Sequence, residues 1–163
     1  MRTYREGLAQ KAGHDLIIEV RDWRGTAEVS QHATVSALGL EVDWRSLHVR
    51  EGLRGVKPLT NKDREKIRQD IEATILRAQP ISFRSTEVTG AHARLRAQGE
   101  LTVAGATRLV EYELDLSPQG RLQGTLTVTQ TDHGITPYRG FMGALKVRDT
   151  VDVVIDVQLP SDA

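Results

Sequence analysis

Residues 93–105, "ARLRAQGELTVAG", alternate between apolar and polar side chains almost without interruption. Successive side chains of a β-strand point to opposite faces, so this stretch predicts a strand with one buried face and one solvated face. Half of the apolar face is Ala or Gly, including Ala97 and Gly99. These small residues either pack against bulky groups of the same chain or line a space that holds another molecule.

The same period of two recurs along most of the chain. Including the stretch above, it predicts about eight strands, over residues 15–20, 25–29, 33–44, 80–88, 93–105, 107–116, 121–130 and 144–159. Short turns join most of them, which favours antiparallel neighbours. A sheet of this size with one apolar face either splits into a sandwich or closes into a barrel. Pairing of the long first and last strands would close it.

One helix interrupts the strand pattern at residues 60–79. Thr60 is a candidate N-cap with Asp63 three residues later, and Pro80 ends the helical pattern. Isoleucines recur every fourth residue from position 67 to 75, which gives a narrow apolar stripe. A helix with such a stripe is expected to lie across the sheet or to cover one end of a barrel.

Length and composition exclude several classes of protein. The 163 residues suit one domain, 1–163, and 22 basic residues balance 22 acidic ones, unlike the basic surplus of a nucleic-acid binder. Absence of Cys excludes disulfides, thiolate metal sites and a Cys nucleophile. No window reaches the ~18 apolar residues of a membrane span, and the polar start lacks a secretory signal, so we expect a cytoplasmic protein.

Aromatic residues make up 4% of the chain. Their scarcity leaves room for a cavity, although an aliphatic core is the alternative.

Four short motifs occur in a specific order: Ile81, Phe83 and Ser85; Gly99, Leu101, Thr102 and Gly105; Asp132, Gly134 and Ile135; Asp149 and Val151. Together they resemble the YceI-like domain family. The resemblance implies a lipocalin-like, eight-stranded antiparallel β-barrel with an α-helix in a long connection. It also implies that the barrel binds a polyisoprenoid lipid or an isoprenoid quinone. Many members are periplasmic. This chain departs from the family near "KAGHDLIIEV" and at Leu109-Val110, where the family commonly has Pro-Val.

The inner face of such a barrel would hold the ligand. Small residues at Ala93, Ala97, Gly99 and Gly124 are expected to keep the bore open. The predicted ligand-lining residues are Phe83, Leu95, Ala97, Leu101, Val103, Tyr112, Leu114, Leu126, Val128, Tyr138, Phe141, Leu145 and Val147. If the bore is closed instead, six large residues meet across its axis: Leu95, Leu101, Leu114, Leu126, Val128 and Val147.

The irregular stretch 131–146, "TDHGITPYRGFMGALK", combines Gly, Pro, aromatic residues and Met. It is interpreted as a lid or entry gate at the barrel mouth. An ordinary loop packed on the barrel end and a homodimer contact are the two alternatives.

Catalytic or metal-binding motifs are weak in this sequence. His14-Asp15 and Asp132-His133 are adjacent pairs, and adjacent residues of a strand diverge, so neither pair predicts a catalytic or metal site. The other histidines, His32, His48 and His92, are expected at the surface. No nucleophile elbow, P-loop, dinucleotide fingerprint or zincin motif occurs.

The sequence therefore predicts a binding protein rather than an enzyme. Its function would be to hold a long apolar, isoprenoid molecule as carrier, buffer or sensor, with no other cofactor. The alternative is a ligand-free structural or assembly module with a filled barrel. An enzyme is the third hypothesis, and it rests on His14, Asp15, Asp132 and His133.

Overall fold

The computed structural model describes residues 1–30, 34–91 and 93–159, without the side chains of Ala91 and Phe141. This part of the chain contains thirteen strands in two antiparallel sheets and one α-helix. The strands are β1 (Arg2–Thr3), β2 (Arg5–Glu6), β3 (Asp15–Val20), β4 (Trp23–Val29), β5 (Val35–Val42), β6 (Leu47–Leu53), β7 (Ile81–Ala91), β8 (Arg94–Val103), β9 (Ala106–Leu116), β10 (Arg121–Thr129), β11 (Arg139–Gly140), β12 (Leu145–Val147) and β13 (Thr150–Gln158). The helix α1 spans Asn61–Asp70.

The large sheet has ten strands in the order β4-β5-β7-β8-β9-β10-β13-β1-β3-β6. Strands β3 and β4 follow each other along one arm of a bent hairpin, and β5 and β6 along the other arm. At the bend, Arg21 N donates to Ser46 O (3.3 Å) and Asp43 N donates to Asp22 O (3.1 Å). Because this single hairpin supplies both ends of the strand order, the sheet curls into a half-barrel with a concave inner face. The mostly-β architecture with one helix is confirmed, but the count of eight strands is not.

The first and last predicted strands do not pair directly. The two residues of β1 lie between β13 and β3, and Arg2 pairs with Asp152 on one side and Ile17 on the other. The predicted strand over residues 144–159 is also divided. Its first part, β12, joins β2 and β11 in a separate three-stranded sheet, while β13 joins the large sheet. Short strands explain both errors, because two or three residues are too few to show a period of two.

Strand β8 confirms the alternation that predicted it. Leu95, Ala97 and Leu101 are buried on the inner face, and the Arg, Gln and Glu side chains between them are exposed. The inner face belongs to the main apolar cluster, which buries Val35, Leu38, Phe83, Leu95, Ala97, Leu101, Leu114, Leu122, Leu126, Val128 and Val151.

The helix begins with the predicted capping box. Thr60 Oγ1 accepts from Asp63 N (3.2 Å), and the Asp63 carboxylate accepts from Thr60 N (2.9 Å). The Asp63 carboxylate also accepts from the Thr60 hydroxyl (2.7 Å), and this bond, together with the one from Thr60 N, holds the pKa of Asp63 below its usual value. After α1 the chain continues as a π-helical turn, Ile71–Ile75. The isoleucine stripe packs on a second cluster, formed by Ile18, Leu47, Val49 and Leu76, so the helix lies across the β3–β6 part of the sheet.

Small residues on the inner strand positions permit close packing rather than an open bore. A Cβ at Gly99 would lie 2.3 Å from Arg84 O and 2.7 Å from Cε2 of the Phe83 ring. A Cβ at Gly124 would lie 2.5 Å from Glu113 O, and Ala93 is exposed. The expectation that these three residues keep the bore open is wrong, because neighbouring groups of the same chain occupy the space beside the two glycines.

Replacing Gly99 with Ala should therefore destabilise the fold. The added methyl group meets a backbone oxygen and a packed ring, so we expect a loss of about 1–3 kcal/mol in the free energy of unfolding. Urea denaturation followed by circular dichroism measures it, with the exposed Glu100→Ala as a control that changes stability by less than about 0.5 kcal/mol. Equal midpoints for Gly99→Ala and wild type would contradict this packing.

Candidate functional site

The concave face of the sheet gathers most of the predicted ligand-lining residues. Seven of them are buried members of the main apolar cluster: Phe83, Leu95, Ala97, Leu101, Leu114, Leu126 and Val128. Val103 and Tyr112 are half-buried against the same cluster. Six large residues are expected to meet across the axis if the bore is closed, and five of them belong to this cluster. Side chains therefore fill much of the interior. Leu122 and Val151 also belong to it, and their period-two positions could have identified them from the sequence.

The remaining predicted lining residues lie outside this cluster. Leu145 and Val147 are half-buried in the small sheet, where β12 pairs with β11 and with β2. Tyr138 is 51% exposed. Leu145, Val147 and Tyr138 therefore do not belong to the main apolar cluster, and their contact with a ligand stays a prediction. The side chain of Phe141 lies outside the described residues.

The base of the 131–146 loop is held by Asp149. Its carboxylate accepts from Thr131 N (2.9 Å) and from Thr131 Oγ1 (2.6 Å). Gly134 has a left-handed φ of 67°, and Ile135 after it is buried. Two of the four sequence motifs therefore stabilise the same connection. At its tip Met142 is fully exposed, and the lid and dimer interpretations stay predictions.

Tyr112 is half-buried against the main apolar cluster, and its hydroxyl is not among the buried polar atoms that lack a partner. It faces Ala97 across the β8–β9 register, and its ring meets the Phe83 ring edge to face with centroids 5.4 Å apart. Burial raises the pKa of Tyr112 to about 12. Within the described residues, the Tyr112 hydroxyl has no hydrogen-bond partner. A half-buried phenol usually has such a partner, so this O–H is a candidate donor for a ligand.

Two cavities lie near this interior and near the small sheet. The larger, about 280 Å³, lies between β9 and β10. Val110, Leu126 and Val128 form its apolar side, and the rest of its lining is polar and includes Arg108, Glu111 and Asp132. The smaller, about 190 Å³, lies against the small sheet and is lined by charged side chains together with Pro137 and Val147. The larger cavity could not be predicted from the sequence, because β9 and β10 each show the usual alternation of a paired strand.

The histidines considered for catalysis contact backbone oxygens. A ring N–H of His14 donates to Lys57 O (2.7 Å), and Nδ1–H of His133 donates to Ala106 O (3.0 Å). Buried Asp15 accepts from Arg5 N (2.8 Å). Among the described residues no group of three His, Asp or Glu side chains forms a metal-binding cluster. His48 is half-buried, and His32 and His92 lie outside the described residues.

Comparison with known proteins identifies the family. A family model for the YceI-like domain matches residues 10–159. The chain belongs to the YceI-like domain family. No curated protein matches the sequence. Within the described residues, no helix is long and apolar enough to cross a membrane.

Two solved structures share the fold of this YceI-like domain. A Campylobacter jejuni YceI protein that crystallizes with large solvent channels is 11% identical, with a TM-score of 0.64, over 86% of this chain and 82% of that chain. Burkholderia cenocepacia BcnA is 11% identical, with a TM-score of 0.59, over 94% of this chain and 95% of that chain. At this identity the likeness concerns the fold alone.

The raised pKa of Tyr112 predicts a loss of stability in alkali. Between its ordinary pKa of 10.0 and its folded value of about 12, the unfolded chain releases the proton while the folded chain keeps it. Folding stability should thus fall as pH rises, by about 1 kcal/mol at pH 11 from this residue. Urea denaturation of wild type and Tyr112→Phe at several pH values isolates the effect, since Tyr4 is present in both. Parallel pH profiles would contradict it.

Proposed function

We propose that this domain binds a long apolar molecule of the isoprenoid class on the concave face of its sheet, as a carrier, buffer or sensor. The observation that carries the proposal is the Tyr112 hydroxyl, which is unpartnered beside a continuous apolar cluster. Membership of the YceI-like family supports the same ligand class.

Burial of a prenyl chain supplies enough free energy for such binding. Each buried CH₂ contributes roughly 0.8 kcal/mol, so one five-carbon unit contributes about 3–4 kcal/mol. Four units therefore leave about 8–12 kcal/mol after an association cost of about 4 kcal/mol, which corresponds to micromolar affinity or better. Burial against the apolar side chains of the main cluster is therefore enough to bind a prenyl chain without an ion pair.

The head group of the guest is best matched by a neutral oxygen. Among the described residues, no Lys or Arg is buried, so the main cluster has no buried basic side chain of either type beside it. A diphosphate brought into it would lose its hydration without a cation, at a cost of several kcal/mol. The Tyr112 O–H, in contrast, can donate to the carbonyl of a quinone or to the oxygen of an alcohol.

A ligand-free module with a filled interior is the second candidate function. The packing of Phe83 against Gly99 favours it, because the chain's own ring occupies part of the concave face. In that case the exposed Tyr138 and Met142 would be available for contact with a second copy or another chain.

Mass spectrometry separates the two candidates. Protein purified under native conditions is analysed intact and after extraction with organic solvent, and empty protein is incubated with micromolar ubiquinone-2 or geranylgeraniol. We expect an apolar passenger or uptake at one molecule per chain. Empty protein that takes up neither compound, with a stable dimer on native spectra, would support the filled module instead.

Tyr112→Phe tests the head-group contact because it removes only the hydroxyl. Affinity for ubiquinone-2 should fall about 5–15-fold, the equivalent of one hydrogen bond of about 1–1.5 kcal/mol. Affinity for squalene, which has no oxygen, should remain within about twofold because apolar burial is unchanged. Isothermal titration of both ligands measures the difference. Equal losses for both ligands would show that the phenol does not contact the head group.

A further inference from the structure

Strands β9 and β10 separate over most of their length. Strand β9 pairs with β8 from Ala106 to Asp115, and β10 pairs with β13 from Arg121 to Thr129. Between themselves, however, β9 and β10 pair only at Leu116↔Leu122, Asp115↔Gln123 and Leu114↔Gly124. Strand β9 is therefore hydrogen-bonded to β8 and β10 to β13 along most of their lengths, and backbone pairing is missing only between β9 and β10.

The larger cavity lies in this separation. Residues 108–111 of β9 form one wall and residues 126–129 of β10 form the other, with Asp132 and His133 beside them. We call this opening the β9–β10 slot. It ends on one side at the Leu114↔Gly124 pair. On the other side, His133 is buried and bonded to Ala106 O, which connects the segment after β10 to the start of β9.

On each wall of the slot a polar side chain is bonded to the outer strand and not to the opposite wall. Glu111 is drawn toward β8 by its ion pair with Arg96 (2.9 Å), and Thr127 is drawn toward β13 by its bond to Asp152 (2.8 Å). Among the described residues, no hydrogen bond or ion pair joins residues 108–111 to residues 126–129. The slot is therefore open on its outer face, and no polar contact between described residues holds its two walls together.

The inner side of the slot is continuous with the apolar interior. Leu126 and Val128 are buried members of the main cluster, and Val110 packs against that cluster. On the outer rim, Leu109 is 76% exposed. These four apolar residues form a strip from the solvent edge of the slot to the interior, along which a flexible hydrocarbon chain could pass. The other lining residues are polar or charged and include Arg108, Glu111 and Asp132.

We propose that the β9–β10 slot is the entrance through which the prenyl chain passes sideways between the strands into the interior. This inference rests on the proposed binding function and adds the route of entry. The hydrocarbon contacts Val110, Leu126 and Val128 on its way in. Hydrogen bonds at both ends limit the length of the slot. The backbone hydrogen bonds of the sheet beyond these ends therefore stay formed while the prenyl chain passes.

A cleavable cross-link across the slot tests this route. The protein has no Cys, so Leu109→Cys/Thr129→Cys introduces the only two thiols, on opposite outer rims of the slot. A short bis-maleimide with an internal disulfide joins them, and mass spectrometry confirms the cross-link. Uptake of ubiquinone-2 should become at least about tenfold slower and should recover when a reductant cleaves the linker.

The matched control cross-links the same two strands where they are hydrogen-bonded. Asp115→Cys/Gln123→Cys is a directly paired, exposed position beyond the end of the slot. Its cross-linked form should take up ubiquinone-2 within about twofold of the uncross-linked rate. A second control loads the slot variant with ubiquinone-2 before cross-linking. The molecule should then stay bound and leave at least about tenfold more slowly, which shows that the interior still binds it.

The outcomes separate this inference from the proposed function. If the cross-linked slot variant loads as fast as the control, the quinone enters elsewhere and the inference is overturned, while binding itself stands. If uptake slows in both cross-linked proteins alike, strand separation at the slot is not the route. If wild type binds no quinone in any state, the proposed function fails, and the entrance fails with it.

Discussion

The bent hairpin formed by β3–β4 and β5–β6 forces the sheet to curl and so creates its concave inner face. Its arms stay paired through the bend, yet its two halves lie at opposite ends of the ten-strand order. A flat sheet cannot satisfy both conditions, so the strands between must curl. Curling makes one face concave, and every apolar side chain that points to that face meets others from distant strands. The main cluster and any ligand held there depend on this closure constraint rather than on any single contact.

Packing divides the concave face into two different regions. Beside β7 and β8, the Phe83 ring fills the space left by Gly99, and Tyr112 stacks edge-on against it. Beside β9 and β10, backbone pairing stops at Gly124 and a cavity takes its place. Aromatic rings therefore occupy the first region, and the second stays accessible. This asymmetry reconciles a well-filled cluster with a binding function, because a guest needs space along one side of the interior only.

The sequence predicted those parts of the fold whose signal is local. The alternation around Leu95 and Ala97, and the capping box at Thr60, each require only a few neighbouring residues, and the structure confirms both. The small residues were harder to interpret, since an isolated Gly looks the same whether a ring or a void lies beside it. The β9–β10 slot could not be predicted, because pairing between strands depends on the curvature of the whole sheet and leaves no mark within either strand.

The position of Tyr112 relates the interior to the slot. By register it stands beside Leu114, the last β9 residue that pairs with β10, so its hydroxyl lies on the inner face near the point where the strands part. The Tyr112 hydroxyl is not sealed in the cluster, since the described buried polar atoms that lack a partner are Thr3 Oγ1 and Arg64 Nε. Its O–H is therefore accessible and can donate to a guest that lies along the apolar face. Under the proposed function, a guest with a neutral oxygen gains this hydrogen bond, whereas a pure hydrocarbon does not and a charged head group would add a larger desolvation cost. The proposed function therefore favours a long apolar molecule with a neutral polar end.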